Sequence, residues 1–117
     1  MNKLTTHVLD QQSGLPGKNI AVELFFLRDE QREYVMKAVT NEDGRTDTPL
    51  LQGASWAPGE YELLFYVGDY FRAQGLELPH PPFLDKVVIR FGMTAEVEHY
   101  HVPLLLSPYG YTTYRGS

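Results

Sequence analysis

The chain of 117 residues contains no cysteine, which excludes both a disulfide framework and a thiolate metal site. Basic residues are also few. Ten lysines and arginines stand against fifteen aspartates and glutamates, a formal net charge of -5 at pH 7. Proteins that bind nucleic acid or an anionic membrane through charge need a positive field, so neither partner is expected.

Long hydrophobic runs are missing as well. No stretch approaches the roughly 20 apolar residues of a membrane span, and residues 1–7 hold no apolar segment long enough for a signal peptide. A cytoplasmic protein is therefore expected. Apolar residues at 43% and charged residues at 21% are typical of a globular chain. A chain of this length can bury one hydrophobic core but is too short for two. We therefore predict a single domain over residues 1–117.

Short runs of alternating apolar and polar residues recur along the chain, separated by Gly, Pro, Asn and Asp. About eight strands with a turn roughly every ten residues predict an all-β antiparallel sandwich. One short helix is expected at residues 68–74, and residues 85–91 and 96–106 are expected to pair as a hairpin. The predicted strands are residues 4–10, 19–28, 33–40, 60–67, 85–91 and 96–106, a return strand beginning at Arg45, and a C-terminal strand.

The clearest turn is Ser-Pro-Tyr-Gly at residues 107–110, which suits the four-residue loop of a β-hairpin. Pairing Leu106 with Tyr111 then places His101 opposite Gly116. The terminal residues of a chain usually fray, so a terminal segment paired with a histidine-bearing strand suggests a functional role.

The same count separates two residues of the tail. Tyr114 is predicted on the face that carries His101, whereas Ser117 falls opposite Tyr100 on the other face. The tail has to twist or bulge for Ser117 to reach His101.

Histidines raise the possibility of a metal site. His99 and His101 share a strand face because side chains alternate with a period of two, and His7 could supply a third ligand. No carboxylate or fourth histidine stands at a fitting spacing, so no metal is expected. Spacing alone leaves His101 as an ordinary polar residue at a strand end.

Two further features fit a planar ligand. Arg45 directly follows an Asp-Gly turn, and its forked guanidinium suits a planar anion or an amide edge. It also fits an ordinary solvated charge at a strand end. The tyrosines near the C-terminus could line a pocket for a flat ring or pack at a subunit interface; they are Tyr109, Tyr111 and Tyr114.

Several motifs together resemble the transthyretin-related 5-hydroxyisourate hydrolase family. They are THVLD at residues 6–10, GLP at 14–16, DGR at 43–45, YHVPLLLSP at 100–108 and YRGS at 114–117. The resemblance extends over essentially the whole chain. It implies a transthyretin-like sandwich of two four-stranded sheets with one short helix. It also implies a homotetramer, a dimer of dimers, with active sites in a channel at the dimer–dimer interface.

The reaction implied by the resemblance is the hydrolysis of 5-hydroxyisourate in urate degradation, a part of purine metabolism. An amide bond of the ring opens to give 2-oxo-4-hydroxy-4-carboxy-5-ureidoimidazoline, without a metal or organic cofactor. The resemblance assigns catalytic roles to His7, Arg45, His101 and Ser117, and substrate binding to His7, Arg45 and Tyr114.

These residue types suit amide hydrolysis. Two imidazoles can divide the base and acid roles near neutral pH, and Arg45 can stabilise a developing oxyanion. His101 is favoured as the proton acceptor. Sequence does not decide between His7 and His101 as the base, nor between water and Ser117 as the attacking group.

The alternative function is a non-catalytic carrier of a flat aromatic ligand in the tetramer channel. Thyroid-hormone carriers of the transthyretin type share this fold, and fold alone does not select a function. His7, Arg45, His101 and the YRGS ending favour the enzyme, because the carriers do not have them.

Overall fold

A computed structural model describes all 117 residues, which form two facing β-sheets and one α-helix. None of its helices has the length and apolarity that crossing a membrane requires. The elements are β1 (Lys3–Asp10), β2 (Leu15–Pro16), β3 (Ala21–Arg28), β4 (Gln31–Val39), β5 (Leu51–Gln52), β6 (Gly59–Tyr66), α1 (Val67–Ala73), β7 (Lys86–Met93), β8 (His99–Ser107) and β9 (Gly110–Thr113).

The predicted sandwich with one short helix is confirmed. One sheet has the order β2-β1-β8-β9 and gains a fifth member because the two-residue β5 also pairs with β1; the other has the order β4-β3-β6-β7. All pairs are antiparallel except one: β1 and β8 run parallel along their whole length. That pairing joins the first strand to the strand before the last.

The core lies between the two sheets and contains 21 buried residues. Along β1 burial alternates: Leu4 and Val8 are completely buried, whereas Thr5 and His7 lie on the outer face of the sheet. Complete burial of such an aliphatic side chain is worth about 1.5–3 kcal/mol. Burial of Leu4 and Val8 thus favours this face of β1 turning inward, where Thr6 and Asp10 are also buried, and it leaves Thr5 and His7 on the outside.

Two sequence predictions are wrong. Residues 85–91 and 96–106 do not form a hairpin, because β7 pairs with β6 in one sheet while β8 pairs with β1 in the other. The intervening residues carry the chain between the sheets. Arg45 does not begin a return strand either: it forms one isolated bridge with His7, and the next strand is the short β5.

The C-terminal hairpin is confirmed in its register. Leu106 pairs with Tyr111, and an isolated bridge joins His101 to Gly116. The Gly116 N–H donates to the His101 carbonyl oxygen at 2.7 Å. The tail therefore stays beside β8 after β9 ends at Thr113.

Candidate active site

The parallel pairing of β1 with β8 brings three polar side chains together on the outer face of the five-stranded sheet. Thr5 lies opposite His101, and Lys3 lies opposite His99. The Thr5 Oγ1 is 2.8 Å from Nδ1 of His101 and 2.9 Å from Nε2 of His99. The sequence analysis missed Thr5, since no local pattern indicates that it contacts a strand near the other end of the chain.

Arg45 is positioned by a tight turn that packs against β1. The Asn41 Oδ1 accepts a hydrogen bond from the Arg45 N–H at 3.2 Å, and the Gly44 carbonyl accepts one from the Val8 N–H at 2.8 Å. Gly44 has a φ of +76° and lies against the Val8 carbonyl oxygen, so this position needs glycine. The turn sets Arg45 beside His7.

Both elements border one polar cavity of about 330 Å³. No hydrophobic residue lines it. Three of the predicted site residues do: Arg45, His101 and Ser117. The full lining is Thr5, Thr6, Arg45, Thr46, Asp47, Thr48, Pro49, His99, His101 and Ser117.

The Arg45 guanidinium is free to meet a ligand. It takes part in none of the ion pairs of the molecule. Asp47 also lines the cavity, but its Oδ1 accepts from the Asn41 side-chain amide at 3.0 Å. The cavity therefore presents a forked donor that forms no ion pair with Asp47 or any other carboxylate.

Two other predicted residues lie outside the lining of this cavity. His7 is on the same outer face of β1, next to Arg45, and is not among the lining residues. Tyr114 lines a separate cavity of about 210 Å³ together with Tyr100 and Val102. The count that put Tyr114 on the His101 face therefore does not bring it to the cavity of His101.

Ser117 behaves in the opposite way. It shares the cavity with His101, although the count placed it opposite Tyr100 on the other face. The tail beyond β9 thus brings Ser117 to the same cavity as His101.

The environment of His101 favours its neutral form. The pKa of its imidazole is lowered from 6.5, first by burial and then by the nearby charges of Arg45, His7 and His99. A neutral imidazole has a free lone pair and can accept a proton. Since Nδ1 contacts Thr5, Nε2 is the nitrogen available to the cavity.

We expect the imidazole of His101 to titrate below pH 6.5, because burial and the adjacent positive groups penalise its protonated form. Proton and carbon NMR of the ring against pH would measure the midpoint, with a His101→Gln variant to assign the signal. A midpoint at or above 6.5 would contradict this environment.

The three histidines considered as metal ligands are not arranged as a metal-binding group: no cluster of three or more His, Asp or Glu side chains in the chain could hold an ion. The Thr5 hydroxyl instead links His99 to His101.

The comparisons agree with this fold and site. Residues 4–116 match the model of the HIUase/Transthyretin family. A 5-hydroxyisourate hydrolase of Pseudomonas aeruginosa is 55% identical over 117 residues, which cover all of this chain and 93% of that protein.

Two solved structures with the same fold belong to proteins of different function, a hydrolase and a thyroxine-bound transthyretin. The 5-hydroxyisourate hydrolase of Klebsiella pneumoniae is 32% identical with a TM-score of 0.78, over 100% of this chain and 94% of that one. Sea bream transthyretin in complex with thyroxine is 27% identical with a TM-score of 0.86, over 97% of this chain and 94% of that one. On the family match and the full-length identity, this chain belongs to the HIUase/Transthyretin family.

Proposed function

We propose that this protein is a hydrolase that opens the ring of 5-hydroxyisourate in urate degradation. The observation that carries the proposal is the cavity shared by Arg45 and His101 and lined mostly by polar residues, in a chain more than half identical to a 5-hydroxyisourate hydrolase. A planar, oxygen-rich ring suits a cavity that offers a guanidinium and an imidazole.

The reaction follows from these two groups. Nε2 of His101 takes a proton from water, and the water oxygen attacks the carbonyl carbon of the ring amide. Negative charge develops on the carbonyl oxygen, where the Arg45 guanidinium stabilises it. The C–N bond then breaks, and the leaving nitrogen receives a proton. Water is the attacking group in this proposal, since His101 is already positioned to activate it.

The remaining site residues take supporting roles in the proposal. His7, beside Arg45, binds substrate or supplies the proton for the leaving nitrogen. The Ser117 hydroxyl, which lines the same cavity, orients the attacking water. Tyr114 lies at a different cavity of its own chain, so its contact with substrate requires a neighbouring protomer.

A homotetramer, a dimer of dimers, is the assembly we propose. Its support is that the cavity opens on the outer face of a sheet and that Tyr111 and Tyr114, near the free edge strand β9, are largely exposed. Light scattering on the purified protein should give four times the chain mass of 13.4 kDa. A monomer at micromolar concentration would contradict the assembly.

The test of function uses substrate made from urate with urate oxidase. The purified protein should accelerate the ultraviolet decay of 5-hydroxyisourate beyond its spontaneous rate. Calorimetry with a hydrophobic ring compound tests the carrier alternative, which the polar lining of the cavity does not favour. Tight binding of that compound without acceleration of the decay would replace the enzyme with the carrier.

Gly116 gives a prediction that depends on the tail. A Cβ placed on Gly116 would lie 2.6 Å from Cδ2 of His101, closer than carbon atoms pack. We expect Gly116→Ala to displace the imidazole and lower kcat clearly, with little loss of stability because the tail is terminal. The ultraviolet assay and thermal unfolding measure the two effects.

The matched control for Gly116→Ala is Gly92→Ala in β7, where an added Cβ meets nothing within 4 Å. Neither glycine has a positive φ, so the two variants differ in the contact of the added methyl group with His101. Equal activity of the two variants would show that Gly116 does not constrain His101.

A further inference from the structure

The Thr5 hydroxyl lies between two imidazoles that differ in exposure. Its Oγ1 is 2.8 Å from Nδ1 of His101, which is half-buried, and 2.9 Å from Nε2 of His99, which is exposed. A hydroxyl has one proton and two acceptor lone pairs. Thr5 can therefore donate to only one of the two rings, and the other ring can donate to it.

The proposed function sets the direction of these bonds. A base that acts through Nε2 of His101 must carry its own proton on Nδ1. That N–H donates to the Thr5 oxygen at 2.8 Å. The hydroxyl proton of Thr5 is then left to point at Nε2 of His99, and the three groups form one donor chain from His101 through Thr5 to His99.

We propose that Thr5 is a positioning residue that relays a proton from His101 to His99 during catalysis, an inference that rests on the proposed function. As Nε2 of His101 takes a proton from water, Nδ1 passes its proton to Oγ1, and Oγ1 passes its own to Nε2 of His99. His101 ends neutral as the other tautomer, Thr5 is again a hydroxyl, and His99 is an imidazolium. In the reverse direction His99 returns a proton through Thr5 to Nδ1 of His101, and Nε2 of His101 gives its proton to the leaving nitrogen.

Electrostatics favour the positive charge on His99 rather than on His101. A cation on His101 would be half-buried and close to a guanidinium and two other imidazoles, and its pKa is lowered accordingly. The exposed ring of His99 is solvated by water, which stabilises an imidazolium. The titratable and charged groups that face His101 are His7 from β1, Arg45 and Asp47 from the loop, and His99 from β8.

The test uses variants that remove one link at a time. Thr5→Val deletes the hydroxyl and keeps the shape, whereas Thr5→Ser keeps the hydroxyl. His99→Gln still accepts a hydrogen bond but cannot take the proton. We expect Thr5→Val and His99→Gln each to lower kcat about tenfold or more, a part of the ~10²–10⁴-fold that acid–base catalysis contributes.

The relay makes two further demands on these variants. Because the two residues act in one step, the double variant should lose little more than either single one. Thr5→Ser should keep most of the wild-type kcat, and so should His80→Gln, which changes an exposed histidine in a remote loop.

Rates in mixtures of light and heavy water separate a relay from mere support of the ring. Wild type should show a curved dependence of kcat on the deuterium fraction, because several protons move together, and Thr5→Val should show a straighter one. An active wild type with full kcat in His99→Gln would overturn the relay alone. A wild type that does not accelerate 5-hydroxyisourate decay would overturn the proposed function and the relay together.

Discussion

Replacement of His101 by asparagine is expected to lower kcat/KM for 5-hydroxyisourate by about 10²–10⁴-fold, the usual contribution of a general base. Asparagine can keep a hydrogen bond to Thr5, but it has no lone pair of suitable basicity to accept a proton from water. The lowered pKa of His101 keeps the imidazole neutral at pH 7, and this is the form that can accept a proton.

Folding should survive this change. His101 is only half-buried, and its side chain makes one hydrogen bond, to Thr5. Circular dichroism and thermal unfolding should therefore match wild type. His80→Asn is the control for histidine replacement away from the cavity. A His101→Asn variant that keeps most of the wild-type rate would assign the base to another residue, with His7 next to be tested.

Replacement of Arg45 by alanine should lower kcat about 10²–10³-fold, the typical cost of removing one donor that stabilises an oxyanion. The guanidinium has no carboxylate partner, so its removal should leave no unpaired charge behind and should cost little stability. The kcat of Arg45→Lys should lie between that of wild type and that of Arg45→Ala, because lysine keeps the charge without the forked donors.

Arg45 also acts on His101 at a distance, and pH separates the two effects. The positive guanidinium lowers the pKa of His101, so its removal must raise that pKa and move the acid limb of the rate profile to higher pH. At a pH where His101 is neutral in both proteins, the loss from Arg45→Ala should persist. If the loss of rate disappears at that pH, Arg45 acts only by lowering the pKa of His101.

A surface arginine supplies the control. Arg72 on α1 makes an exposed pair with Asp69 at 3.5 Å, far along the chain from the cavity residues. Such surface pairs contribute little to stability. Arg72→Ala should keep both the rate and its pH profile, and any change seen only in Arg45→Ala then belongs to the site.

Local features of the chain were predictable because neighbouring residues determine them. Alternation of buried and partly exposed side chains marked β1 and most of β3, and the Ser-Pro-Tyr-Gly turn at residues 107–110 predicted the register of Leu106 with Tyr111. The family motifs likewise identified the family. The pairing of His101 with Gly116 followed from that register because β8 is continuous.

The contacts that complete the site are nonlocal, and no periodicity encodes them. Thr5 and His101 are 96 residues apart in sequence and meet only because β1 pairs in parallel with β8. The bridge of His7 with Arg45 is nonlocal in the same way. The sequence analysis had instead placed Arg45 at the start of a return strand. Partner choice between strands depends on how the two sheets pack, and this depends on the whole core.

The sequence by itself determined the sandwich, the closing hairpin, the family and the residue types available for chemistry, because these follow from local pattern and motif. Only the tertiary structure decided that β7 and β8 belong to different sheets, that Ser117 shares a cavity with His101 while Tyr114 lines another, and that Thr5 links His99 to His101. The physical reason is that burial fixes which face of a strand turns inward, whereas the neighbour beside each polar side chain is set by pairing between distant segments.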